Sequence, residues 1–333
     1  MHQSQNILIR LPNWLGDMVM STSFVKAVAA AFPQASIDVI AKKGIDFLLP
    51  YFPPHAQSFI FDKALHKGIN GAWQFGRSIG KQKNYDLFFC LPDSFSSAVM
   101  AKAVAAKKSI GFKKEFRSFL LSHSYKKPTN LHRVEEYINL LSQFLKEDVA
   151  VPAVQLQHIS AEKNKTLIIN INSEASSRRL PVTKAVSIIN HIRKNIIEEI
   201  ILVGSPKEKI FVDEVYNLLA DKTGIRNIAG QTTLPQLLNV FATNAMLLST
   251  DSGPAHVANA LDTHTILLFG AGNENNTAPY NKINSSIIRL GKLACEPCLS
   301  NTCKLYGVPQ CLLQLDETVI TKKVIEILNT KHW

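Results

Sequence analysis

The sequence predicts an α/β protein of two Rossmann-like domains, and three observations carry that expectation. Apolar, β-rich runs alternate with helical patterns along 333 residues, which implies largely parallel sheets covered by helices on both faces. The alternation comes in two series, interrupted by "KEDVAVPAVQLQHISAEKNK" (146–165), which reads as a linker. The length suits two domains of roughly 100–200 residues each, and an apolar share of 46% against 19% charged residues can fill two cores. The expected division is residues 1–160 and 161–333, with the last helix a candidate to pack back on the first domain.

In the first series "NILIRL" (6–11) reads as a buried strand, "MVMSTSFVKAVAAAF" (18–32) as a helix and "SIDVIA" (36–41) as the next strand, a βαβ unit of the expected ~30 residues. "YDLFFCL" (85–91) is a further buried strand, followed by a helical pattern in "SFSSAVMAKAVAA", and "LHRVEEYINLLSQFL" (131–145) has apolar residues at helical spacing. In the second series "TLIININ" (166–172), "EIILVGS" (199–205), "AMLLST" (245–250) and "HTILLFG" (264–270) read as strands. Between and after them "TKAVSIINHIRKN" (183–195), "KEKIFVDEVYNLLAD" (207–221), "LPQLLNVFATN" (234–244), "DSGPAHVANAL" (251–261) and "ETVITKKVIEILN" (317–329) read as helices.

The first residues, "MHQSQNILIRLPNWLGD", lack a basic stretch followed by a long apolar region, so no signal peptide is read. No apolar run approaches the ~20 residues that span a bilayer; a cytoplasmic location is expected. Net charge is +11, and residues 1–160 hold 19 Lys/Arg against 11 Asp/Glu. The densest basic stretch, residues 101–127, has eight Lys/Arg and one Glu. Such a field suits an acidic partner such as nucleic acid, phosphorylated lipid or an anionic sugar, or is simply a solvated lysine-rich surface. Four of the five cysteines lie close together as Cys295-x2-Cys298-x4-Cys303-x7-Cys311, unlike a secreted disulfide framework. The spacing fits no common zinc pattern, so no metal ligand is assigned; inert thiols are the alternative to a structural metal.

Ligands of such sheets bind beyond the carboxyl ends of the strands. In "STDSGPAHVANAL" a strand hands over to a helix whose first N–H groups are exposed and partly positive. Ser252 and Gly253 let a ligand approach that backbone, and Pro254 fits a first helical turn, which makes a phosphate site. Thr250, Asp251 and Ser252 also suit plain helix capping, and His256, one turn in, either meets a phosphate oxygen or packs. In "SEASSRRLP" Ser176 and Ser177 offer hydroxyls, and Arg178 and Arg179 can grip phosphate. Glu208 after "EIILVG" suits the two hydroxyls of a ribose, or is an ordinary first-turn glutamate. Neither a P-loop nor a G-x-G-x-x-G fingerprint is present. In "LPNWLGDMVMS" Gly16 frees the backbone, and Asp17 is either an N-cap or a proton acceptor facing a cleft between domains; the helix start would keep it ionised, a weak base.

Together these loops resemble glycosyltransferase family 9, the lipopolysaccharide heptosyltransferases. "ILIRLPNWLGDMVMSTSFVKAV" is similar to the family's opening, "STDSGPAHVANALDTHTILLFGAGNENNTAPY" to its C-domain signature, and "CEPCLSNTCKLYGVPQCLLQL" to a cysteine-bearing tail. The resemblance implies a GT-B fold, two Rossmann-like domains facing across a cleft, and inverting transfer of heptose. The donor would be ADP-L-glycero-D-manno-heptose and the acceptor a phosphorylated inner-core lipopolysaccharide at the cytoplasmic face of the inner membrane, met peripherally. It further implies Asp17 as catalytic base. Ser176, Ser177, Arg178, Glu208, Thr250, Asp251, Ser252, Gly253 and His256 would serve the donor, and Trp14, Lys113, Lys114 and Arg117 the acceptor. No cofactor is required on this mapping, no nucleic acid is expected, and magnesium is left open as an assistant to ADP departure. The departure is Arg178-Arg179-Leu180-Pro181, where relatives commonly have lysine, a basic or polar residue and then Trp-Pro. A family 9 transferase of another nucleotide sugar or acceptor, an NAD-dependent dehydrogenase and a non-enzymatic anion-binding protein are the alternatives.

Overall fold

A computed structural model describes residues 5–158 and 162–330. The chain divides into two compact units, residues 1–157 and 158–333. The expected linker at 146–165 lies partly outside the described residues. Its first part belongs to unit one: Val154 and Leu156 are buried, Ser23 Oγ donates to Pro152 O at 2.6 Å, and Gln157 N donates to Tyr51 O at 2.7 Å.

Unit one contains β1 (Asn6–Arg10), α1 (Leu15–Ala31), β2 (Ser36–Lys42), β3 (Gln57–Phe61), α2 (Gly68–Gln82), β4 (Leu87–Cys90), α3 (Phe95–Val104), β5 (Lys108–Phe112), β6 (His123–Tyr125) and α4 (Arg133–Leu145), with 3-10 turns at Asp46–Tyr51 and Glu115–Leu120. Its six parallel strands run in the order β3-β2-β1-β4-β5-β6. The strands are apolar on both faces because helices cover both sides. Sequence periodicity misses α2, "GINGAWQFGRSIGKQ", because four glycines weaken its helical signal. Packing explains two of them. A Cβ at Gly76 would lie 2.5 Å from Met100 O, and one at Gly80 2.4 Å from Val104 O, so α2 and α3 approach backbone to backbone. The α4 start is held by a capping box in which His132 accepts from Val134 N and Glu135 accepts from His132 N.

Unit two contains β7 (Asn164–Asn170), α5 (Val182–Asn195), β8 (Glu199–Leu202), α6 (Lys209–Asn217), β9 (Ile225–Asn227), α7 (Leu234–Ala242), β10 (Asn244–Thr250), α8 (Gly253–Ala260), β11 (His264–Phe269), α9 (Glu274–Thr277), β12 (Ser285–Arg289), α10 (Gln310–Leu313) and α11 (Glu317–Thr330). Its order is β12-β11-β10-β7-β8-β9, also wholly parallel. Counted within each unit, this is the same topology as the first sheet. β10 is buried along its whole length between β7 and β11, with Leu248 opposite Ile169 and Ile266. The strands β3, β6, β9 and β12 lie at the sheet edges and are only partly buried, so they lack the continuous apolar run by which the central strands are read; the sequence reading also misses β5. The last helix, α11, lies along α5 of its own unit, held by Lys184 Nζ–Glu317 Oε1 at 2.6 Å and His191 Nδ1–Thr321 Oγ1 at 2.8 Å. Among the described residues no helix is long and apolar enough to cross a membrane.

Candidate functional site

In unit two the strand-end loops of β7 and β10 are locked together. Two asparagines, which the sequence reading passed over, organise them. Asn170 Nδ2 donates to Ser249 Oγ at 3.1 Å and to Ser252 Oγ at 2.9 Å. Asn172 Nδ2 donates to Asn170 Oδ1 at 3.1 Å and to Val203 O at 3.0 Å, while Thr250 Oγ1 donates to Asn172 O at 2.5 Å. The signal was present in "IININ": an amide side chain buried in an otherwise apolar strand needs partners, and the strand end supplies them.

Thr250, Asp251 and Ser252 were each eligible as helix caps, yet α8 begins with no side-chain cap. Its first amides therefore keep their partial positive charge toward the loop. Asp251, only 5% exposed, instead pairs with Arg178 Nη1 at 3.1 Å. Burial pushes the Asp251 carboxyl up, against the pull of Arg178 and Arg289. Gly272 leaves room for it, since a Cβ there would lie 2.1 Å from Asp251 Oδ2. Arg178 Nε is buried with no hydrogen-bond partner among the described residues. Arg179 braces the loop, its Nε and Nη2 donating to Ser173 O at 3.2 and 2.9 Å.

Ser176 and Ser177 were expected as hydroxyl donors to a ligand. Their hydroxyls are already engaged: Ser176 Oγ donates to Asn301 O at 3.3 Å and Ser177 Oγ to Ser300 O at 2.5 Å. They tie the arginine-bearing turn to the cysteine-rich segment, leaving oxygen lone pairs rather than protons for anything else. Glu208 stands before α6 and accepts from Ser205 N at 2.8 Å, folding its own loop. His256 is buried within α8. Cys295, Cys298, Cys303 and Cys311 line one small cavity with Ser177 and Glu296, all as free thiols. Burial pushes the Cys311 thiol up to about 11, with Glu296 and the neighbouring sulfurs adding to it.

In unit one the loop after β1 is built on Arg10. Its buried guanidinium donates to Leu11 O at 2.7 Å, Ile40 O at 3.1 Å and Asn13 Oδ1 at 2.6 Å, and burial lowers its pKa to about 10. This fixes the entry of α1, on whose first turn Asp17 sits half-buried, 3.5 Å from Arg133 Nε. Arg133 Nη1 also pairs with Glu136 at 2.9 Å, and Lys127 bridges Glu136 at 3.2 Å and Asp93 at 3.1 Å. Burial raises the Asp17 pKa; Arg133 and Lys127 oppose the rise, and Glu136 and Asp93 add to it. Burial thus acts against the helix start, which the sequence reading credits with keeping Asp17 ionised, and makes it a stronger base than a solvated carboxylate.

Trp14 is 61% exposed ahead of α1, with Lys42 Nζ over its ring at 5.7 Å. Lys113 and Lys114 are exposed after β5. Arg117 is no surface cation: it is 1% exposed, donates to Pro92 O at 2.7 Å and to Cys90 Sγ at 3.3 Å, and lies 3.8 Å from Asp93. The basic stretch is likewise not a continuous stripe. Lys107 pairs with Asp86 at 2.8 Å, Lys108 lies over the Phe144 ring, and Lys127 belongs to the Asp17 network.

Two parallel sheets of one topology, each with polar groups gathered at its strand ends, define the GT-B class of α/β fold, as expected. The chain belongs to glycosyltransferase family 9 (heptosyltransferase), whose sequence profile matches residues 72–308. Lipooligosaccharide heptosyltransferase 2 of Haemophilus ducreyi is 30% identical over 324 residues, covering 85% of this chain and 88% of the relative. Among solved structures, E. coli ADP-heptose lps heptosyltransferase II superposes with a TM-score of 0.81 at 23% identity, covering 97% of this chain and 98% of that one. E. coli heptosyltransferase WaaC with ADP gives a TM-score of 0.73 at 16% identity, over 97% and 100%. The family resemblance read from the motifs is thereby established.

Proposed function

We propose that this glycosyltransferase moves heptose from ADP-L-glycero-D-manno-heptose to a phosphorylated inner-core lipopolysaccharide acceptor, with inversion. The observation that carries the proposal is the start of α8: an uncapped helix end beside half-buried Arg178, whose Nε is buried and has no hydrogen-bond partner among the described residues. Charge of that sign and geometry suits a diphosphate. A family structure solved with ADP and another that is an ADP-heptose heptosyltransferase support the choice of nucleotide.

In the reaction the acceptor hydroxyl gives its proton to the Asp17 carboxylate as its oxygen bonds to the anomeric carbon. The bond from that carbon to the diphosphate breaks on the opposite face, and ADP leaves with the electron pair. The α8 amides and Arg178 stabilise the charge growing on ADP. Asp17, raised by burial, is a fitting acceptor for a proton that becomes acidic only as bond formation advances. These groups supply the positive charge themselves, so no resident metal is invoked; added magnesium would change only the rate of ADP departure. The enzyme would work in the cytoplasm, peripherally at the inner membrane, where a nucleotide donor and a lipid-borne acceptor meet.

Transfer from ADP-heptose to truncated lipopolysaccharides of defined length, read by mass spectrometry, tests the proposal; no mass gain with any acceptor would sink it. Thermal stabilisation by ADP and not by NAD is the companion expectation, and the reverse would favour a dehydrogenase.

A further inference from the structure

We propose that the turn Glu115–Leu120 is a membrane anchor that seats two phenylalanines in an anionic phospholipid surface; this rests on the lipid-borne acceptor proposed above. Phe116 is 82% exposed and Phe119 72% exposed, among the most exposed large apolar side chains of the protein. In a 3-10 turn residues three apart eclipse each other, so Phe116 and Phe119 share one edge. A second edge, about a third of a turn round, carries Arg117 and Leu120. Arg117 is pinned inside by Pro92 O and Cys90 Sγ, and Leu120 packs on the core of unit one. The inner edge thus holds the outer edge out, and the two rings face water because the turn is fixed rather than loose.

The surroundings match an anionic surface. Lys113 and Lys114 precede the turn and are exposed. Lys113 N donates to Tyr125 O at 2.7 Å, which brings exposed Lys126 beside them. None of these three lysines is in an ion pair among the described residues. Aromatic rings flanked by lysines partition into the interfacial layer of a bilayer, and each lysine near an anionic surface is worth roughly a fivefold gain in binding. Isolated exposed apolar residues are ordinary on protein surfaces; a pair held on one edge amid three exposed lysines is a different object.

The test uses the full chain and co-sedimentation with vesicles. Wild type is expected to bind vesicles of equal parts phosphatidylcholine and phosphatidylglycerol, and to bind phosphatidylcholine alone much less. The double variant F116S/F119S is expected to lose about tenfold or more in partitioning, with an unchanged melting temperature. It is also expected to transfer heptose at the wild-type rate to a deacylated, water-soluble acceptor. Equal vesicle binding by variant and wild type would overturn the anchor. So would a matching loss of transfer to the soluble acceptor, which would make the turn an acceptor contact instead. If wild type transfers to no acceptor, the proposed function fails, and the vesicle measurement alone decides the anchor.

Discussion

Each sheet reverses its strand order between its first and fourth strands, β1/β4 in unit one and β7/β10 in unit two, and each places one aspartate of raised pKa beside an arginine there. The two aspartates are set differently. Asp17 lies on the first turn of α1 with its side chain 24% exposed and 3.5 Å from Arg133, whose guanidinium is shared with Glu136. Asp251 is 6% exposed by side chain, 3.1 Å from Arg178, and walled in by Gly272. One topology therefore yields an accessible carboxylate with raised proton affinity in unit one and a brace beneath a phosphate-type loop in unit two. The difference lies in the neighbours: competing acids in the first case, and an asparagine–serine network that fixes the backbone in the second.

The largest effect should separate the two aspartates by activity. Asp17→Asn should lower kcat by roughly 10²–10⁴-fold, the range for removing a general base, with ADP affinity by calorimetry unchanged. A variant retaining near-normal turnover would end the distinction between the two sites. Next is Arg178→Ala, expected to weaken ADP binding and to destabilise the fold by up to about 3 kcal/mol, because Asp251 is left buried without its cation. Adding Asp251→Asn should restore the melting temperature but not ADP affinity; recovery of both would mean that Arg178 acts only through Asp251.

Gly272→Ala should cost about 1–3 kcal/mol in denaturant unfolding, since its methyl group meets the Asp251 carboxylate against a packed core. An indifferent Gly272→Ala would show that the Asp251 carboxylate can move away from that methyl group and is not walled in.

The smallest effect is in stability against pH. The unfolded chain releases the Asp17 proton near pH 4, whereas burial makes the folded chain hold it to higher pH. The stability this contributes is full below the unfolded value and is lost as pH rises through the folded one. Asp17→Asn should therefore melt no lower than wild type at pH 7, with any advantage shrinking as the pH falls toward 4. The acid limb of wild-type kcat/KM should lie above the ordinary carboxylate range. A variant less stable at pH 7, or an acid limb at the ordinary value, would make Asp17 a structural group.

Much of this was legible in the chain because strand and helix periodicities are local. β1, α1, β2, β7, β10, α8 and β11 were each read within a few residues of their observed bounds. Long-range pairing hid the rest. Nothing near Arg117 in the sequence says that it will reach Pro92 and Cys90, and nothing near Ser177 says that its hydroxyl will be taken by Ser300. The helix α2 was masked by glycines that make sense only against α3.

The sequence by itself determined two parallel α/β units, the strand-end loops where chemistry gathers, and membership of family 9, because alternation, turn residues and motif spacing are written along the chain. Only the tertiary structure decided which charges are free and which are held. That depends on desolvation and on partners up to 133 residues distant, such as Glu317 for Lys184, and neither quantity exists until the chain has folded.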